Sequence, residues 1–176
     1  MWCLGSVSNP GDLSLAEVVV EASLFDSTGV LLSKAAAFTQ LDVVRPGESA
    51  PFAILFETPP DEFAQYHVAP VAGVPVSTEA RYYFDLDTFD LRGSFKDTAT
   101  YQISGQLRNF GSQDAESVRL VTVVYDKDNQ VLAHRQADLA VELLRAGAVT
   151  PFEIDLIIPN GAVDHYEVLA QGLKVE

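Results

Sequence analysis

Sulfur is almost missing from this chain, which has one cysteine, Cys3, and one methionine. A single cysteine excludes an internal disulfide and any Cys-x-x-Cys zinc or redox motif, so the fold must be held non-covalently. Basic residues are scarce as well: 11 Lys and Arg stand against 25 Asp and Glu, a formal net charge of -14. That balance argues against nucleic acid or an anionic membrane surface as a partner, because neutralising phosphate takes patches of Lys and Arg. No run approaches the ~18 consecutive apolar residues of a membrane-spanning helix. No Gly-x-Ser-x-Gly, His-Glu-x-x-His or Gly-x-x-x-x-Gly-Lys stretch occurs, so the usual nucleophile, zinc and phosphate devices are missing.

What the chain does have is 48% apolar residues over 176 positions, too many for a disordered segment, and an internal repeat. Shifted by one hundred residues it aligns with itself without a gap from Gly5/Gly105 to Val68/Val168. Fifteen positions are identical, among them Asn9/Asn109, Gly11/Gly111, Val18/Val118, Asp26/Asp126, Arg45/Arg145, Gly47/Gly147, Pro51/Pro151, Phe52/Phe152, Ile54/Ile154, Pro59/Pro159 and Tyr66/Tyr166. Average residue usage gives about four matches over such a span. The identities fall on turn residues and alternating apolar residues, which marks one module used twice. The boundary falls near residue 78, between modules 1–78 and 79–176, in a stretch with prolines at 70 and 75 and no Ser/Gly tract, as in a short, stiff connection.

Within a module the apolar residues keep strand period. Val18, Val20, Ala22 and Leu24 alternate with Val19, Glu21, Ser23 and Phe25, and Phe52, Ile54 and Phe56 alternate with Ala53, Leu55 and Glu57. The second copy keeps the phase with Val118, Leu120, Thr122 and Val124, then Phe152, Ile154, Leu156 and Ile158. One face of each strand is core. Asp26-Ser27-Thr28-Gly29 and Asp126-Lys127-Asp128-Asn129 put a side-chain acceptor at the start of a tight turn and a residue tolerant of positive φ at its end, predicting hairpins. Pro46-Gly47 fits the centre of a type II turn, and Ala146-Gly147 keeps its glycine. Pro59 and Pro159, lacking an amide donor, are expected to end the strands before them.

The predicted strands are 3–8, 16–25, 30–41, 49–58 and 64–72 in the first copy, and 80–86, 99–108, 116–125, 130–141, 149–158 and 164–173 in the second. The fold class is all-β: two tandem immunoglobulin-like antiparallel β-sandwiches, the first lacking its N-terminal strand. The second module has the lead-in Ala80 to Leu91 where the first has four residues before Gly5. Either the chain is a piece whose true start lies upstream, the favoured reading, or the first module has an open sheet edge. A strand supplied by another subunit is the sharper alternative.

Candidates for chemistry are few. His67, His134 and His165 share no register between the copies, and surface positions are expected for them. Cys3 aligns with Ile103 and is expected in the core. Asp85-Leu86-Asp87 and Asp126-Lys127-Asp128-Asn129 carry oxygens suited to calcium without the distal bidentate Glu of a full loop; turn chemistry accounts for the second. Tyr82-Tyr83-Phe84, Phe89 and Trp2 are the aromatics a sugar-binding face would need, although strand alternation turns half of the run inward. Tyr66 and Tyr166 open the last strand of each copy, as corner tyrosines or plain core aromatics. No catalytic, cofactor-binding or metal-ligating residue is assigned, and no cofactor is expected.

Leu24-Phe25-Asp26 and Val124-Tyr125-Asp126 each close a strand and open a turn. Gly5-x-x-x-Asn9 and Gly105-x-x-x-Asn109 stand upstream; Arg45-Pro46-Gly47 with Pro51-Phe52, and Arg145-Ala146-Gly147 with Pro151-Phe152, follow. Together these resemble the FxLYD domain, a β-sandwich module of bacterial and archaeal surface proteins. The copies depart from the name-giving motif: Ala22 and Thr122 replace its Phe, Val124 its Leu and Phe25 its Tyr. The resemblance implies a non-catalytic, extracytoplasmic module and supplies no site residues. The expected function is accordingly a spacer or interaction module of a cell-envelope or secreted protein, with other domains of a larger parent or another surface protein as partners. A carbohydrate- or calcium-binding accessory module is the alternative, and an enzyme is not expected.

Overall fold

The computed structural model describes residues 1–76, 81–158 and 161–175. It is all-β, with antiparallel pairing throughout and no helix among the described residues. The chain divides into two compact units, Met1–Thr78 and Glu79–Glu176. Residues 77–80, where the sequence places the boundary, and Pro159 lie outside the described residues.

The first unit contains β1 (Trp2–Ser8), β2 (Leu15–Phe25), β3 (Leu31–Phe38), β4 (Val43–Val44), β5 (Ser49–Leu55) and β6 (Gln65–Pro75). β1 pairs β5 in one sheet; in the other, β2 takes β3 and β4 as partners and β6 as well. The two sheets share one core. Val20, Ala22 and Leu24 of β2 meet Phe52, Ile54 and Phe56 from β5 and its end, and Cys3, Val7, Ala35, Ala37 and Val68 pack at the margin. Burial in β2 follows the alternation that its sequence dictates, with Ala16, Val18, Val20, Ala22 and Leu24 buried. Each fully buried large aliphatic contributes roughly 1.5–3 kcal/mol, which favours the in-phase register over a one-residue slip.

The second unit contains β7 (Tyr82–Tyr83), β8 (Leu86–Phe95), β9 (Thr100–Asn109), β10 (Ala115–Tyr125), β11 (Val131–Asp138), β12 (Leu143–Leu144), β13 (Val149–Ile157) and β14 (His165–Lys174). From β9 onward every strand starts at the hundred-residue offset from its counterpart, β1 and β9 differing by two residues at the start. Two strands have no counterpart. β8 pairs the outer edge of β9, and β7 pairs the outer edge of β14. Tyr101, Ile103 and Leu107 of β9, Val118, Leu120 and Val124 of β10, and Phe152, Ile154 and Leu156 of β13 make the core, with Leu86 and Leu91 packed on it.

Among the described residues the first unit thus has two strands fewer than the second, where a difference of one was expected. The predicted strand 80–86 is a short bridge at Tyr82–Tyr83, and Leu86–Phe95 was not predicted as a strand at all. A bulge explains the omission. Asp90 adopts φ 52° and the register slips between Phe89 and Arg92, so the alternation changes phase in mid-strand and its period is masked. The expected strands 30–41 and 130–141 also end early, at Phe38 and Asp138, because the chain leaves β3 and β11 to add the two-residue strands β4 and β12 against β2 and β10. β5 stops at Leu55, ahead of Pro59.

The shared polar residues build the same frame in both units. Asn9 is buried, and its Nδ2 donates to the carbonyls of Leu13 (2.8 Å) and Val44 (2.9 Å) while its Oδ1 accepts from Gly11 N (3.1 Å). Asn109 repeats this with Gln113 O (2.8 Å), Leu144 O (3.0 Å) and Gly111 N (3.1 Å). Backbone bonds complete the bracket: Gly47 N to Asn9 O and Gly147 N to Asn109 O. Both glycines sit at φ 75° in turns closed by Glu48 N to Arg45 O and by Ala148 N to Arg145 O, the geometry predicted for Pro46-Gly47. The second unit adds one bond, Tyr83 Oη donating to Asn109 Oδ1 at 2.8 Å. Burial pushes the Tyr83 phenol above its usual pKa, which keeps it a donor.

Replacing Asn109 with Ala orphans two carbonyls, an amide and a buried hydroxyl, so Asn109→Ala is expected to cost about 3 kcal/mol and Tyr83→Phe about 1 kcal/mol. Asn9→Ala is expected to cost less than Asn109→Ala. Urea denaturation of the single variants, compared at constant m-value, checks the order.

Candidate functional site

The structure does not bring the sequence candidates together as a reactive centre. His67 lies exposed in β6 opposite Ser23, His134 sits half-buried in β11 opposite Val123, and His165 begins β14, stacked on Tyr125 at 4.8 Å with its Nδ1 3.0 Å from Asp164. No group of three or more His, Cys, Asp or Glu among the described residues is arranged to hold a metal ion. Asp87 is paired to Arg108 at 3.0 Å, and that guanidinium also lies 5.5 Å from the centre of the Phe89 ring. Asp126 Oδ1 accepts from Asp128 N and Gln130 N, the hairpin role assigned to it.

Three carboxylates are held below their usual pKa. The Val30 amide, then the Thr28 hydroxyl, stabilise ionised Asp26; the amides of Ala99 and Thr100 do the same for Asp97. Asp155 is lowered by the Lys96 ammonium at 3.0 Å and then by Gln102 Nε2 at 3.0 Å, and Arg135 donates to its backbone carbonyl at 2.7 Å. These residues line a polar cleft of about 230 Å³. A general acid near neutral pH needs a raised pKa; Asp155 is pushed the other way. Its contacts join β13 to β9 through Gln102 and to Lys96, just past β8, in one sheet, and to Arg135 of β11 in the other.

The largest departure from a closed sandwich lies in the first unit. Among the described residues nothing pairs with the outer edge of β1 or of β6. Two apolar grooves run between these edges. One, about 240 Å³, is lined by Val7, Asn9, Leu15, Val18, Pro70 and Gly73; the other, about 270 Å³, by Trp2, Cys3, Leu4, Phe63, Tyr66 and Val68. Their walls carry no charged side chain. Exposure registers the opening residue by residue. Ile103 is fully buried at 0%, whereas Cys3, its counterpart, is half-buried and not the core residue expected. Tyr166 packs on the core 6.3 Å from the Tyr101 ring, but Tyr66 is 71% exposed and is neither a corner nor a core residue. Within Tyr82-Tyr83-Phe84, Tyr83 is buried while Tyr82 and Phe84 stack on each other at 6.4 Å. The grooves escaped the sequence reading because they depend on which edge stays uncovered. The signal available was Tyr66, which repeats Tyr166 in the register of the two copies.

No protein-family model and no curated protein matches the chain. Among solved structures it is similar to a β-glucuronidase from glycoside hydrolase family 2, with 14% identity and a TM-score of 0.34, covering 96% of this chain and 22% of that one. A glycosyl hydrolase family 2 member from Bacteroides cellulosilyticus is similar at 10% identity and a TM-score of 0.32, covering 96% and 28%. The chain therefore spans only about a quarter of the length of these proteins. Similarity at this level says nothing of substrate or reaction.

The carboxylate shifts make a pH prediction. Asp26 has a folded pKa below its ordinary 3.8, so the stabilisation from its turn bonds is complete well above pH 3.8 and is lost as pH falls through the folded value. Asp26→Ala is expected to lower the melting temperature at pH 7, and the gap to the parent chain to close as pH drops below that value. Paired thermal melts from pH 7 to pH 2 measure it.

Proposed function

We propose that the chain is a non-catalytic spacer or interaction module, two β-sandwich units of FxLYD type within a cell-envelope or secreted protein. The observation carrying this reading is how the repeated polar residues are used. Asn9/Asn109, Asp26/Asp126 and Gly47/Gly147, the residues the copies hold in common, are spent on turns and brackets that build the frame. What differs between the copies is surface, and the first unit presents an apolar slot rimmed by Trp2, Leu4, Phe63 and Tyr66, all exposed. Apolar recognition surface of this kind suits a protein partner. The extracytoplasmic setting rests on the resemblance of the turn and core pattern to surface-protein modules.

A second reading has one observation behind it: the rings of Trp2 and Tyr66 border the same groove, as aromatics that stack on sugars do. Affinity electrophoresis of the intact chain through polysaccharide gels, with a calcium titration of its melting temperature and a panel of chromogenic glycosides, separates the readings. Unretarded migration, an unmoved melting temperature and no turnover are the expected results. Retardation abolished by Trp2→Ala replaces the module reading with the sugar-binding one, and turnover overturns both.

A further inference from the structure

We propose that Arg135 guards the second unit against strand addition: its charge, held in the gap between β11 and β13, keeps either edge from taking up a further β-strand and so keeps copies of the chain from associating there. The inference goes beyond the module reading and concerns the side of the sandwich opposite β7 and β8. β11 ends one sheet and β13 ends the other, and no described strand pairs with the outer edge of either.

Both units have this side, and they close it differently. In the first unit the end of β3 crosses to β5 through the bridge Thr39↔Phe52, with Gln40 N donating to Pro51 O at 2.8 Å. In the second unit no bond among the described residues joins the counterparts Ala140 and Pro151. The sheets part there around the polar cleft of about 230 Å³. Arg135 spans the gap instead, its Nη1 donating to Asp155 O at 2.7 Å. The first unit has Ala35 at the position of Arg135 and Leu55 at that of Asp155.

Arg135 belongs to a row of the strand that otherwise faces the core. Ala133 and Ala137, two residues to either side of it, pack on the core, so strand alternation turns Arg135 to the same inward face. Charge directed inward from an edge strand is one of the devices that blunt a free edge. A strand laid against β11 or β13 would close the cleft over the guanidinium. The Asp155 carboxylate is already held by Lys96 and Gln102, at 3.0 Å each, and is not free to compensate it. Burying a charge without such compensation is strongly unfavourable.

The edge is one that needs guarding. Asn109 N to Ala148 O and Ile158 N to Ala99 O fix which residues of β13 bond to β9; the alternates Glu153, Asp155 and Ile157 turn their main-chain groups outward. Pro151, in the same row, has no amide to offer and blunts the start of the edge. Past it Ile157 is 65% exposed, and between the two Arg135 occupies the Asp155 carbonyl.

Three variants of the intact chain, Arg135→Ala, Arg135→Gln and Arg135→Lys, separate the charge from the hydrogen bond. In light scattering over a concentration series, Arg135→Ala and Arg135→Gln are expected to reach a weight-average mass at least about twice that of the parent chain at equal concentration, as in a dimer. Arg135→Lys is expected to keep the parent's mass. Amide hydrogen exchange at Glu153 and Asp155 is expected to slow in the two associating variants, which a loss of stability alone would not produce. Arg135 is exposed and the first unit has Ala35 in its place, so the variants are expected to fold; far-ultraviolet circular dichroism checks it. A parent-like mass for folded Arg135→Ala or Arg135→Gln overturns the inference. So does equal association of Arg135→Lys, or association that leaves the Glu153 and Asp155 amides exchanging as before.

Discussion

Both units hang on one buried asparagine. Asn9 follows β1 and Asn109 ends β9, and each bridges the following loop to the two-residue strand β4 or β12 through both of its amide protons. Burying an amide without partners costs a few kcal/mol, so the residue is tolerable only where those carbonyls arrive together. That requirement ties the loop after β1, the turn at Gly47 and the start of β2 into one geometry, and the second unit repeats it around Gly147. The apolar core supplies most of the free energy, but it is forgiving of shape. The asparagine bracket sets how the edge of one sheet meets the other.

Given that frame, the contrast between the units reduces to what stands at the rim. In the second unit β7 reaches the bracket itself through Tyr83, and β8 lays Leu91 and Gly93 along the gap between the sheets. Gly111 has no room for a side chain, because the Tyr83 hydroxyl and Asp85 occupy it; Gly11 meets only Asn9. The same residue types therefore sit in a filled site in one unit and an open one in the other. Cys3 and Tyr66 stand more open than Ile103 and Tyr166 because no described strand lies outside β1 or β6, whereas at Gly5 the Phe52 ring already fills the space a Cβ would take.

Much of the frame was legible in the residue order because it is local. Asp26 and Asp126 accept amides two and four residues ahead, Gly47 and Gly147 take the positive φ their turns demand, and the alternation of Val18 to Leu24 names its buried face directly. β8 was not legible, since the bulge at Asp90 shifts its phase and Asp87, paired outward to Arg108, reads as a polar interruption. Glu17 and Ser117 hide matching bulges, at φ 52° and 50°, with no residue type to announce them. The candidate site was legible only in the contrast between the copies, the second carrying Ala80 to Leu91 ahead of Gly105.

By itself the sequence determined the strand period, the turns and the duplication, because side-chain alternation and positive-φ positions are properties of a few neighbouring residues. Only the tertiary structure decided which edges are covered, that Tyr166 is packed while Tyr66 stands in solvent, and that two grooves line up along β1. Covering an edge takes a strand from elsewhere in the chain, as β8 covers β9, and no local pattern records whether that strand arrives.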